Sequence, residues 1–311
     1  MVRPFPMDSF WTRLAHKLRQ IIFPVTRLSI FGMRGLGATR VDHAANGNLI
    51  LELNRPSPLG PRGMQIQIPQ DRVIFEEIRK FSQWEMQECE FLSRALKRVA
   101  RDTPDRKCTF LDIGANIGMV TLQTLSLAGT SPDVLMVEPL ARHVEAIKFN
   151  TRNLARDHSI QVFEFGLAEN SGKASLFTEA HNHGNSSLVE SLVRADGAIR
   201  TEIKLKGAEE FAEENLLGDH PLIIKCDTQG FDALILSRLP ESVWIRTRAA
   251  IVEVWAIDEI EEADIDHCLH LWNGFKSMSW SPTKRERISN LELRNFWLSK
   301  SQNTRNLFLT A

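Results

Sequence analysis

The sequence contains no tyrosine, although it has 17 phenylalanines and 7 tryptophans in 311 residues. Proton chemistry here must therefore do without a phenol and fall to other groups. Its four cysteines, Cys89, Cys108, Cys226 and Cys268, stand far apart with no C-x-x-C pair. That spacing excludes a zinc ribbon, a thioredoxin-like redox motif and a disulfide scaffold, and it suits a reducing cytosol. No apolar run approaches the roughly 20 residues that span a bilayer, and the first residues lack the apolar stretch and small-residue cleavage site of a secretory signal. The protein is expected to be cytoplasmic. Nor does one sign of charge dominate, since 38 Lys and Arg face 39 Asp and Glu for a net −1.

What is present is a globular composition, 43% hydrophobic, which leaves no room for disorder or collagen-like repetition. The near-zero charge hides an asymmetry. Residues 1–107 hold 18 basic and 11 acidic side chains (+7), and residues 108–311 hold 20 and 28 (−8). Residues 8–22, DSFWTRLAHKLRQII, place Trp11, Leu14, Leu18 and Ile21 at helical spacing behind Asp8, with Arg13, Lys17 and Arg19 opposite. Such a helix either docks on the main domain or a partner, or lies on an anionic membrane surface. Residues 31–70, rich in Gly, Pro and Asn with strand-like pieces such as NLILEL, read as a hairpin-like region. The expected organisation is an N-terminal extension over 1–70 and a main domain over 71–311. The latter divides into leading helices at 71–106, broken near Ser82-Gln83, and an α/β core at 107–311.

The core declares its class by alternation. KCTFLDIG, DVLMVEP, IQVFEF, PLIIKCD and AAIVEVW are short apolar runs of strand length, and stretches such as 140–154 and 230–238 between them have helical spacing. Strand and helix in alternation predict a mostly parallel sheet with helices on both faces. Two late strands, KSMSWS and NLFLTA, flank helix-compatible residues 289–300 and suit an antiparallel edge.

In such sheets ligands bind beyond the carboxyl ends of the strands. The first strand ends Asp112-Ile113-Gly114-Ala115-Asn116-Ile117-Gly118 and opens into a helix. Gly114 permits a sharp turn, Gly118 close packing of helix on strand, and Asn116 tolerates the left-handed conformation. The third glycine of a dinucleotide fingerprint is absent, and Asp112 would repel a pyrophosphate but welcome a cation. The second strand ends Val137-Glu138-Pro139, where a carboxylate can accept both hydroxyls of a ribose. One acid for an ammonium and one for a ribose describe S-adenosyl-L-methionine. The plainer alternative is that Asp112 and Glu138 cap the helices that follow.

DIGANIG, VEP, Asn150-x-x-Asn153, FGLAENSGKASLF, GNSSL at 184–188 and IKCDTQGFD at 224–232 together resemble the FkbM family of methyltransferases, over about residues 72–275. KLKGAEEF departs from the family pattern ahead of the helix after residue 207. The resemblance implies a class I, Rossmann-like methyltransferase fold with a seven-stranded sheet and a final antiparallel strand. It also implies methylation of a hydroxyl on a sugar, polysaccharide or natural product. By matching position, Asp112, Gly114, Asn116 and Gly118 line the methionine part and Glu138 the ribose. Glu164 to Gly166 flank the adenine, with Phe165 either its stacking partner or a core residue.

On the acceptor side, alternation along Leu222–Asp227 points Lys225 and Asp227 to one face. A lysine and an aspartate inside a sheet are costly unless paired or functional. Asp227 is thus the first candidate to orient the acceptor hydroxyl or take its proton, Glu253 the second, with Lys225 beside them; the alternative is an ion pair that holds the loop. Asn185, Ser186 and Gln229 are candidate acceptor-binding residues, on the view that the polar segment from 181 is a loop closing over the site. His181 and His183 have no cysteine or acidic partner in sequence, and no metal is expected. Glu88 faces either the site or solvent.

The expected reaction is an in-line SN2 transfer, in which orientation saves roughly 7–11 kcal/mol of barrier and base assistance adds perhaps 10² to 10⁴-fold. The competing class is a methyltransferase-like binding protein without activity. The missing third glycine and Asp112 speak against an NAD-dependent oxidoreductase, and the −8 charge of residues 108–311 against a nucleic-acid track.

Overall fold

The computed structural model describes residues 38–311 except 44–47, 70, 157, 180–181, 189–191, 194–197, 258, 284–286 and 302. The helix expected over 8–22 and His181 lie outside the described residues. Among the described residues no helix is long and apolar enough to cross a membrane.

Three short strands come first, β1 (Ala38–His43), β2 (Leu49–Leu53) and β3 (Gln65–Ile68), paired antiparallel in sequence order. Helices α1 (Arg72–Phe81) and α2 (Met86–Asp102) follow, separated at the expected break. Then come β4 (Thr109–Ile113), α3 (Met119–Ala128), β5 (Asp133–Val137), α4 (Ala141–Asn150) and β6 (Ile160–Phe163). A second sheet is inserted as β7 (Gly166–Ala168), β8 (Gly172–Glu179), β9 (Asn182–Ser187) and β10 (Ile199–Gly207). The chain then returns through α5 (Ala208–Asn215), β11 (Leu222–Cys226), α6 (Asp232–Ser237), α7 (Glu241–Arg246), β12 (Thr247–Trp255) and α8 (Glu262–Leu271). It ends with β13 (Ser277–Ser279), α9 (Asn290–Trp297) and β14 (Thr304–Thr310).

The main sheet has seven strands in the order β13-β14-β12-β11-β4-β5-β6. From β12 to β6 the neighbours are parallel, and β14 runs antiparallel to both β12 and β13. Two-residue alternation splits the core between its faces. Leu111, Ile113, Ile224, Cys226 and Val252 pack with residues of α5 to α9 on one side; Phe110, Met136, Ile223 and Ile251 pack with α2 and α3 on the other. Because β4 leads outward to β5 and β6 while β11 and β12 lie on its other side, the chain reverses direction between β4 and β11. The carboxyl ends of these strands therefore open onto a crevice.

The N-terminal strands join this core. Helix α3, MVTLQTLSLA, is buried nearly all round, as a helix without a polar face must be. Val120 and Leu125 face the main sheet, whereas Met119 and Leu122 join Leu51, Ile66, Ile68 and Ile74 beneath β2, β3 and α1. Asn150, fully buried, accepts from the Gln67 N–H (2.7 Å) and donates to the Gln67 and Ile117 carbonyls (3.0 and 2.9 Å). The boundary expected after residue 70 is thus bridged, and the compact unit runs from Leu36 to Ala311. A correction concerns the segment from 181, expected as a closing loop. Over Asn182–Ser187 it is an edge strand, because its backbone pairs with Phe177–Glu179.

Candidate active site

A cleft of about 890 Å³, counting its open mouth, lies at the carboxyl ends of β4, β5 and β11. Its floor is the loop after β4. Gly114, Asn116 and Gly118 have φ of 73°, 52° and 79°, the left-handed region that Asn116 was expected to tolerate and that both glycines also adopt. A Cβ at Gly114 would collide with the main-chain carbonyl of Asp227, so glycine is what lets the loops after β4 and β11 touch. The Gly114 and Ala115 N–H groups donate to the Val137 carbonyl, and Asp227 N–H donates to the Ile113 carbonyl.

Glu138 is fixed from three sides. Its Oε2 accepts from Asn116 N–H at 2.9 Å, and its Oε1 accepts from Leu140 N–H at 3.1 Å with His143 Nδ1 at 3.2 Å. It therefore tethers the start of α4 and also lines the cleft. Asp112 is placed differently. Register pairs it with Lys225 across β4 and β11, and it is fully buried beneath the loop, outside the lining. Thr121 Oγ1 donates to its Oδ2 at 2.7 Å, and Lys225 Nζ lies 3.4 Å from its Oδ1.

Lys225 also donates to the Gly114 carbonyl at 2.9 Å and lies 3.6 Å from Asp227 Oδ2. Burial works against this ammonium, yet Asp112, Asp227 and Glu85 hold it above the ordinary lysine range. Burial alone would raise Asp227; Lys225 and hydrogen bonds from Glu253 and Gln229 outweigh it and keep the carboxyl below the usual range. Gln229, itself left-handed at φ 54°, bridges Asp227 Oδ1 at 2.9 Å and Glu253 Oε2 at 3.0 Å through Nε2. Glu253 sits behind that amide, outside the lining, and accepts from Trp255 Nε1 at 2.6 Å. Burial first, then the charges of Asp227 and Asp232, push it well above the ordinary value. Asp232, raised to about 6 chiefly by burial, accepts from Thr228 N–H at 3.1 Å and holds the turn.

Lys225, Asp227, Gln229, Gly114, Asn116, Glu138, Gly166 and Ser186 all line the one cleft. Gly118 stands below it as the first residue before α3, with Met136 and Ile147 against its Cα. Phe165 is turned away: its ring packs with Phe163 and Phe211, at centroid distances of 5.6 and 6.1 Å. It is the core alternative, not the adenine-stacking one, that matches this placement. Asn185 lies on β9, and nothing is described of its side chain. Ser186 Oγ donates to Thr178 Oγ1 at 3.0 Å, and Ser187 Oγ donates to the Gln229 carbonyl at 2.6 Å, which ties β9 to the acceptor-side loop. Glu88 accepts from Asn306 Nδ2 at 3.1 Å, away from the lining. Among the described residues no group of three or more His, Cys, Asp and Glu is placed to hold a metal ion.

Trp84, Glu85 and His143 also line the cleft, without an assignment from the motifs. Trp84 and Glu85 come from the bend between α1 and α2. That bend is clamped by buried Gln123, which accepts from the Trp84 N–H at 2.9 Å and donates to the Trp84 carbonyl. A carboxylate at a helix start is too common in sequences to stand out.

A sheet in the order β6-β5-β4-β11-β12-β14-β13, with β14 alone reversed among its neighbours, over a cleft at the β4 switch point, defines a Rossmann-like fold of the class I methyltransferase type. No family model and no curated protein matches the chain. Among solved structures it is similar to methyltransferase FkbM from Methylobacillus flagellatus KT, at 14% identity over 69% of this chain and 47% of that one, with a TM-score of 0.39. It is also similar to the bifunctional kinase-methyltransferase WbdD, at 13% identity over 76% and 41%, TM-score 0.41. A third is the METTL16 MTase domain, at 11% identity over 87% and 86%, TM-score 0.39. The chain spans less than half the length of the first two, and the fold assignment rests on the strand order itself.

Proposed function

We propose that the chain is an S-adenosyl-L-methionine-dependent O-methyltransferase of the FkbM type, acting on a hydroxyl of a sugar, polysaccharide or natural product. The observation that carries this reading is the charge of the cleft. Glu85, Glu138 and Asp227 line it, and the one Lys or Arg among the described lining residues, Lys225, is already held between Asp112 and Asp227. Such a lining disfavours phosphates and suits a cationic nucleoside. The polar atoms fit as well, because Asn116 Oδ1 and Thr228 Oγ1 are buried without a hydrogen-bond partner among the described residues. Residues of the 114–116 turn would hold the methionine part and Glu138 the ribose. Gly166 with Leu167, Leu176 and Ile203 would form the adenine wall in place of Phe165.

When bound, S-adenosyl-L-methionine supplies a methyl group activated on a sulfonium. The chain must then align an acceptor oxygen behind that methyl and exclude water. Asp227, kept ionised by Lys225 and braced by Gln229, directs the acceptor hydroxyl, and Ser186 and Gln229 flank it. Titration calorimetry with S-adenosyl-L-methionine tests the reading, and an absence of binding at millimolar cofactor would sink it. Transfer of labelled methyl to carbohydrate, stable to base, is the expected mark of an ether product; base-labile label would place the methyl on a carboxylate instead.

A further inference from the structure

Glu85 is a cleft-lining acid with no duty in the framework. Asp227 is engaged by Lys225 and Gln229, Glu138 by two main-chain N–H groups and His143, and Glu253 stands behind the lining. The Glu85 carboxyl makes no hydrogen bond to any described residue, although it is half-buried. Its backbone is left-handed (φ 41°), and so is that of Ser82 (φ 53°) at the other end of the bend that Gln123 clamps. Non-glycine residues persist there only where their surroundings over-determine them, and such positions cluster at functional sites. The bend thus presents Trp84 and Glu85 to the cleft as a fixed pair.

We propose that Glu85 is the catalytic proton acceptor of the transfer, with Asp227 the fixed charge that orients the acceptor hydroxyl. The inference rests on the methyltransferase reading above. The acceptor oxygen forms its bond to the methyl carbon as the carbon–sulfur bond breaks with its electron pair left on sulfur, and the O–H proton passes to Glu85. The charges of Asp227, Glu88 and Asp112 act on Glu85 in one sense and that of Lys225 in the other. Burial and the Asp227 charge push its carboxyl up to about 8, against the partial opposition of Lys225. A base of that affinity is matched to neutral pH, whereas Asp227, held low, is a weak one. Before the cofactor binds, Glu85 is mostly protonated; a sulfonium cation in the same cleft favours the carboxylate and drives that proton to solvent.

The test is calorimetry of S-adenosyl-L-methionine binding at pH 7 in two buffers of different ionisation enthalpy, which counts protons exchanged. A group titrating at about 8 is about 90% protonated at pH 7, so the wild type should release up to about 0.9 proton per cofactor. Glu85→Gln should release almost none, and Glu88→Gln should match the wild type. Equal release by Glu85→Gln and wild type, or binding without release in the wild type, overturns the inference alone. No binding in any of the proteins overturns the methyltransferase reading and this inference with it. If Glu85→Gln does not fold, carbon-13 spectra of the glutamate-labelled wild type decide. One carboxyl should titrate near 8 in the free protein and below 7 with cofactor, and the absence of such a carboxyl refutes the role.

Discussion

Replacing Lys225 by Met probes the charges beneath the cleft. Its ammonium lies 3.4 Å from Asp112, 3.6 Å from Asp227 and 2.9 Å from the Gly114 carbonyl. At those distances and an effective dielectric of about 20, each ion pair is worth about 5 kcal/mol of attraction, most of it offset by desolvation. Removing the cation forfeits the attraction and leaves the desolvation in place, so the variant should be less stable by about 3–5 kcal/mol at pH 7. The sign of the pH dependence follows from Asp227. In the wild type its folded pKa lies below the unfolded value, so its contribution is present above about pH 3.9 and is lost as pH falls through the folded pKa. In the variant, burial, the largest influence on Asp227, is opposed only by the hydrogen bonds of Glu253 and Gln229, and the folded value should rise above the unfolded one. The penalty is then full at neutral pH and relieved as pH falls towards 4. Urea unfolding at pH 7 and pH 5 reads both effects. The double variant Lys225→Met/Asp112→Asn should regain about 1–2 kcal/mol of the loss, since the two sites couple directly. A Lys225→Met protein as stable as the wild type, or a deficit independent of pH, would refute the arrangement.

Gly114→Ala should cost about 2–4 kcal/mol, from the left-handed backbone and the collision with the Asp227 carbonyl, and should weaken S-adenosyl-L-methionine binding. An unchanged melting temperature would show that the two loops part freely. Asn150→Leu removes three hydrogen bonds at about 1 kcal/mol each and should speed amide exchange along Gln65–Ile68. Exchange as slow as in the wild type would mean that apolar packing alone holds those strands. Phe165→Leu should lower stability by about 1 kcal/mol through the aromatic cluster and leave cofactor affinity intact. A tenfold loss of affinity in calorimetry would return the ring to the adenine site.

What was legible in the sequence was what burial writes plainly. Parallel strands covered on both faces appear as continuous apolar runs, and β4, β5, β6, β11 and β12 all lie on runs of that kind. The second sheet was harder. GKASLFTE and IRTEIKLKG mix exposed, half-buried and fully buried positions, and NHGNSS has no apolar pattern at all, so its strand state comes from its partner and not from its own residues. That β2 and β3 join the core was not legible, because Asn150 and their apolar faces act at a sequence distance of about 80 residues, which no local pattern reports. In the site, acids at strand ends marked the crevice but not their own duties. Asp112 lies within a strand, where pleating turns it under the sheet, and Glu138 lies one residue past the end of its strand, where it reaches the cleft.

That difference of one residue separates Asp112, under the sheet, from Glu138 and Asp227, which each lie one residue past a strand and line the cleft. Asp112, Lys225 and Asp227 compensate one another's charge, and the lysine is spent on holding the loops after β4 and β11 together. Glu138 and Glu85 line the same cleft with no Arg or Lys ion pair among the described residues. Glu138 escapes the cost of its charge through donors fixed by the turn and by α4. Glu85 has none, and escapes by holding its proton near neutral pH. A cleft without tyrosine thus keeps a neutral, proton-bearing group where a phenol would otherwise serve, and at neutral pH a cation entering the cleft would take that proton away.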